Sequence, residues 1–137
     1  MFEVEMTVAP ANLQPLYNHL HHAKSLEFCE IARLRYLESV GFPSDDYIKR
    51  GLFWVIVSIS ADYKREIRAG QIRVTCENVL VQDKLLILDQ RIYNERGKLA
   101  VEATAHSMLL SSETGRSIQI PSDFRDAVTA LNAKVAS

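Results

Sequence analysis

The sequence has almost no imbalance of charge: 16 Lys and Arg stand against 17 Asp and Glu, a net charge of -1. Phosphate backbones are bound by a clear basic excess, so nucleic acid is not expected as the main partner. Cysteine is scarce too. Cys29 and Cys76 form no C-x-x-C pair, and two buried thiols in a reducing cytoplasm are the expectation. No apolar run is long enough to span a membrane, so no membrane partner is expected. The start, "MFEVEMTV", lacks the basic segment and apolar core of a secretory signal. Internal repeats, low-complexity tracts and linkers are absent as well. A single domain over residues 1–137 is therefore expected.

Apolar residues make up 47% of the chain and charged residues 24%, the balance of a globular protein. "FEVEMTV" alternates with period two and predicts a strand. "APANLQPLYN" is a proline-punctuated loop. A helix is predicted from about His22 to Val40, closed by Gly41 and followed by Pro43. At 100° per residue, Lys24, Glu27, Arg35 and Glu38 form a polar stripe. Leu26, Cys29, Ala32, Tyr36, Leu37 and Val40 form the opposite face. Arg33 projects near the middle of that apolar face, where a charge is costly unless paired, and Glu30, one turn back, is its expected partner.

"GFPSDDYIKRG" predicts a turn-rich connector. Four strand-like segments follow: "LFWVIVSISADY", "GQIRVTCENVLV", "DKLLILDQRIY" and "KLAVEATAHSMLL", with "NERG" as a hairpin turn. "SDFRDAVTALNAKV" predicts a short terminal helix with Ser122 as its cap. One strand, one long helix and four antiparallel strands give an α+β fold. A helix apolar on nearly all sides, in a sheet with only one long helix to cover it, predicts association of copies as a homodimer or a dimer of dimers.

The stretch "NHLHHAKSLEFCEIAR", Asn18 to Arg33, holds three of the four histidines. It resembles the loop and central helix of hotdog-fold acyl-CoA thioesterases of the 4-hydroxybenzoyl-CoA type, whose pattern is G-H-V-N-N-A-K-Y-L…E-x-A-R. Asn18 stands at the glycine, His19 at the histidine, and His21 and His22 at the two asparagines. Ala23, Lys24, Leu26, Glu30, Ala32 and Arg33 keep the pattern. "ADYKREIRAGQIRV" and "ETGRSIQIPSDFRDAV" resemble later family segments, so the likeness spans nearly the whole chain. It implies an antiparallel sheet of about five strands wrapped around one helix. It also implies hydrolysis of an acyl-CoA or acyl-carrier-protein thioester, with backbone N–H groups at the helix start polarising the carbonyl. No cofactor and no metal are implied.

The sequence departs from the family at one point. Relatives carry an Asp three residues before the glycine. Pro15 stands there, and no acid lies between Asn12 and Lys24. Thioesterases of enediyne polyketides, which also lack it, use a loop asparagine and the helix arginine. The counterparts here are Asn12 or Asn18, and Arg33. The candidate catalytic set is therefore Gln14, Asn18, His19, His21, His22 and Arg33, with a histidine suited to base or water-positioning work near neutrality. His19 and His22 share a face as metal ligands would, but no third ligand is evident. Tyr63, Lys64 and Arg65 are candidates for binding substrate, the last two through CoA phosphates. Arg116 is a weaker one. His106, Phe53 and Trp54 read first as structural residues, with Tyr17, Phe53 and Trp54 as alternative acyl-pocket residues. A protein that binds acyl thioesters without cleaving them is the rival reading.

Overall fold

The computed structural model describes residues 2–136. β1 (Phe2–Val8) leads through a 3-10 turn (Pro10–Asn12) and a loop into α1 (His22–Ser39). α2 (Ser44–Lys49) follows, then β2 (Leu52–Tyr63), β3 (Gly70–Gln82), β4 (Leu85–Tyr93), β5 (Leu99–Ser111) and α3 (Ser122–Ala136). The strands form one antiparallel sheet in the order β1-β3-β4-β5-β2. The α+β expectation of five strands around a long helix holds. The connector, however, contains the short helix α2: one and a half turns are too brief for periodicity to reveal, although Asp45 and Asp46 suit a first turn.

Period-two alternation assigns the sheet faces. Val4, Val74, Ile92 and Val101 lie opposite one another across four strands and face α1. The other face is polar: Arg73 pairs with Glu3 at 3.1 Å and lies over the Tyr93 ring, and Thr104 donates to Asp89 at 2.7 Å. α1 buries Cys29, Ala32, Tyr36 and Leu37 against the sheet, while Lys24 and Glu27 form an exposed ion pair. Its end is a Schellman motif. Gly41, at φ +87°, lets its own N–H reach the Glu38 carbonyl and that of Phe42 reach Leu37. At α3, Ser122 lies inside the helix rather than capping it. The Pro121 carbonyl accepts from the Arg125 N–H, and the Asp123 carboxylate accepts from that of Phe124.

One buried polar residue ties helix to sheet. Gln90 on β4 is 1% exposed. Its amide nitrogen donates to the Cys29 carbonyl at 2.9 Å and to Cys76 Sγ at 3.6 Å. Its oxygen accepts from Arg33 Nη1 at 2.9 Å. Arg33 is thus paired with Gln90, and the expected Glu30 partner does not form an ion pair with it. Glu30 is exposed while the half-buried Arg33 leans inward to β4, and a charge held there takes the acceptor available inside.

Cys29 and Cys76 are free and buried, as expected. Burial pushes the Cys29 thiol up to about 11 and the Cys76 thiol up to about 12, against an ordinary value of 9.0. An unfolded chain ionises these thiols near pH 9 while the folded chain keeps its protons. Stability therefore does not depend on the thiols below that pH and falls as pH rises from about 9 through 11 to 12. Iodoacetamide at pH 8 is expected to label the folded protein far more slowly than the denaturant-unfolded protein; equal rates would contradict the burial.

Candidate active site

The loop before α1 is a closed hairpin-like turn. Leu13 bridges Leu20, the Gln14 N–H donates to the His19 carbonyl at 2.9 Å, and the Asn18 N–H donates to the Gln14 carbonyl at 2.8 Å. Asn18 closes it in the left-handed region, φ +57°. This explains why an asparagine replaces a glycine: Asn is the side chain that best tolerates that conformation. The Leu20 N–H is held by the Ile67 carbonyl at 2.8 Å, which docks the loop on the segment between β2 and β3.

The histidines have different tasks. His21 is the N-cap of α1: its Nδ1 accepts from the Ala23 N–H at 3.0 Å. An accepting Nδ1 places the proton on Nε2. His19 is the reverse. Its Nδ1 lies 3.2 Å from the Leu20 carbonyl, which can only accept, so Nδ1 is the donor there and, in a neutral ring, Nε2 keeps the lone pair. His22 stacks on His21 at 4.0 Å and meets the edge of the Tyr63 ring at 5.9 Å. The Tyr63 hydroxyl donates to the His22 carbonyl at 3.3 Å. The backbone N–H of His21 faces the Asn12 carbonyl across the Leu13–Leu20 bridge, while that of His22 has no acceptor among the described residues, as the start of a helix allows.

These residues line a cavity of about 340 Å³. Gln14, His19, His21 and His22 contribute from the loop, and Tyr63, Lys64 and Arg65 from the end of β2. Lys64 and Arg65 are held there by backbone bonds from their N–H groups to the Ala100 carbonyl, at 2.7 and 3.2 Å. Arg65 Nη1 donates to the Leu99 carbonyl at 2.8 Å. Asn18 shapes the loop but is not in the cavity lining. Arg33 is elsewhere: eleven residues beyond His22, it is about 16 Å further along α1 at ~1.5 Å per residue, and lines a second cavity with Glu30 and Trp54. Burial lowers its guanidinium below the ordinary value.

Ser25 and Glu66 also line the first cavity, and sequence reasoning passed over both. Ser25 is 3% exposed at the first turn of α1. Glu66 is bound to Arg68 at 2.8 Å. Its only sequence signal was its place two residues after Lys64. Tyr17 stacks on His19 but is itself 60% exposed. His106 lies on the polar face of β5, and the Arg116 carbonyl accepts from the Ser111 N–H at 3.0 Å. Among the described residues no cluster of His, Cys, Asp and Glu could hold a metal ion.

The sequence profile of the thioesterase-like superfamily matches residues 11–128. The chain belongs to this superfamily. Among curated members, it is 27% identical over 114 residues to YneP, a candidate acyl-CoA thioesterase of Bacillus subtilis (strain 168), covering 81% of each chain. Solved thioesterase structures share its hotdog architecture. A DHNA-CoA thioesterase of Staphylococcus aureus superposes with a TM-score of 0.85 at 22% identity, over 96% of this chain and 90% of that one. A thioesterase of Thermus thermophilus, solved with coenzyme A and Zn, superposes with a TM-score of 0.80 at 25% identity, over 96% and 93%. The superfamily's helix wrapped by a sheet is therefore the fold of this chain, and its loop and helix start lie at the histidine cavity.

Proposed function

We propose that this protein hydrolyses an acyl thioester, of coenzyme A or of an acyl-carrier protein, to free acid and thiol. The observation that carries the reading is the pair of complementary histidines at the start of α1. Membership of the thioesterase-like superfamily supports it, as does the similarity to YneP.

The thioester carbonyl would lie at the helix start, its oxygen facing the free N–H of His22. The positive end of α1 adds to its pull. The Nε2–H of His21 is a further donor at the same end. Water gives its proton to His19 Nε2 as its oxygen attacks the carbonyl carbon. The tetrahedral oxyanion then collapses, the carbon–sulfur bond breaks, and the His19 imidazolium returns the proton to the departing thiolate. Gln14 places the water. Tyr63 holds the His22 carbonyl and with it the helix start. Lys64, whose ammonium has no ion-pair partner among the described residues, meets the phosphates of the carrier arm, and Arg65 assists. Asn18 sets the turn that carries His19.

The test is release of free thiol from a panel of short, long and aromatic acyl-CoA thioesters. Turnover of at least one is expected. Absence of turnover across the panel, with acyl-CoA still bound, would leave the non-hydrolytic reading, which Pro15 at the place of the family acid favours.

A homodimer is part of this proposal. β2 pairs on one side only, with β5, so its other edge is open. Phe53, Ile56 and Val57 on β2 and Ile31 and Leu34 on α1 are all exposed. An open edge beside apolar surface suits strand pairing with a second copy. Light scattering should give at least twice the mass of 15.5 kDa, and Val57→Asp should shift it towards the single chain. A monomeric parent protein would sink the dimer.

A further inference from the structure

We propose that the second cavity selects a medium-chain acyl group carrying oxygen at the end remote from the thioester. This rests on the thioesterase reading and adds a specificity site to it.

The cavity, about 300 Å³, lies between the second half of α1 and the sheet. Leu34, Leu37, Ile56, Leu86 and Leu88 supply apolar walls. A plain hydrocarbon pocket would need nothing more. Yet Arg33, in this lining, carries donors that the protein does not satisfy. Arg33 makes one bond, to Gln90, and has no carboxylate partner among the described residues. The guanidinium has five N–H groups, so most of its donors are left for a guest. Unmet donors of a half-buried guanidinium are costly, and an oxygen acceptor is the ligand chemistry that relieves them. Glu30, exposed at the rim, is the one carboxylate of the lining.

The distance sets the chain length. A thioester at the N–H of His22 and an acceptor at Arg33 are about 16 Å apart along α1 at ~1.5 Å per residue. An extended medium-length acyl chain is long enough to span this. A short acyl group ends before Arg33 and gains nothing from it. Arg33 is thus a substrate-binding residue in this proposal and has no part in the bond-breaking step, unlike the catalytic role the enediyne resemblance implies.

The experiment compares lauroyl-CoA with ω-hydroxylauroyl-CoA and ω-carboxylauroyl-CoA. The protein should prefer the oxygenated thioesters in kcat/KM by at least about tenfold, since a site with hydrogen-bonding groups discriminates against a ligand lacking them. Arg33→Met should collapse that ratio towards one, chiefly through KM, and Arg33→Lys should restore part of the carboxylate preference. Equal or reversed preference in the parent protein would overturn the proposal, and so would an unchanged ratio in a folded Arg33→Met. A second readout needs no catalysis. Trp54 is the sole tryptophan and lines the cavity, so its fluorescence should respond to dodecanedioic acid at lower concentration than to lauric acid. A selective Trp54 response without turnover of any thioester would retain the cavity and reject hydrolysis. An equal response to both acids would reject the cavity's selectivity whatever the turnover.

Discussion

His19→Ala is expected to lower kcat by about 10²- to 10⁴-fold, the usual worth of a positioned acid–base group, with KM changed far less. The reason is its tautomer. The bond from Nδ1 to the Leu20 carbonyl leaves Nε2 of a neutral ring as the acceptor on a residue that lines the cavity, and no loop carboxylate is present to do the same work. His21→Ala should behave differently. It removes the cap on the Ala23 N–H and should cost about 1 kcal/mol of stability as well as activity. His21→Asn, which keeps a capping acceptor, should recover the stability and not the donor from Nε2. Stopped-flow thiol detection on the best acyl-CoA of the panel, with melting curves for each variant, separates the two. Full activity in His19→Ala would refute the assignment of the base and shift the water-positioning role to Gln14.

The second large effect concerns the fold. Gln90→Leu should destabilise the protein by about 2–3 kcal/mol, because it removes the buried bond to the Cys29 carbonyl and strips the inward guanidinium of its acceptor. For a chain of this size that is a fall in Tm on the order of 10 °C. Combining it with Arg33→Leu should recover part of the loss, since a charge without a partner costs more than an apolar pair in the same space. Thermal or urea melts of the two single variants and the double variant measure the coupling. Strict additivity would mean that the Arg33–Gln90 bond contributes nothing to stability.

Much of the candidate site was legible as a list of residues and little of it as roles. The family-like order of Asn18, His19, His21 and His22 marks the loop, and the structure brings three of these four together with Gln14, Tyr63, Lys64 and Arg65. Nothing in the sequence distinguishes an N-capping histidine from one bonded to a carbonyl. That depends on ring orientation, set by which backbone group lies within hydrogen-bond reach. Asn18 read as a catalytic amide, whereas its positive φ makes it the turn residue of the loop. The expected pairing of Arg33 with Glu30 followed from helix spacing alone. Gln90, 57 residues away in sequence, was invisible to that reasoning.

The sequence by itself determined the elements: the alternating strands, the long helix from His22, its stop at Gly41, and the α+β class. These are local consequences of hydrophobic period and of backbone freedom. Only the tertiary structure decided the strand order β1-β3-β4-β5-β2, the insertion of Gln90 beneath α1, and the division of the candidate residues between two cavities. Such contacts join residues far apart in the chain. Which ones form is settled by packing and by the need to satisfy buried polar groups, and neither leaves a local pattern to read.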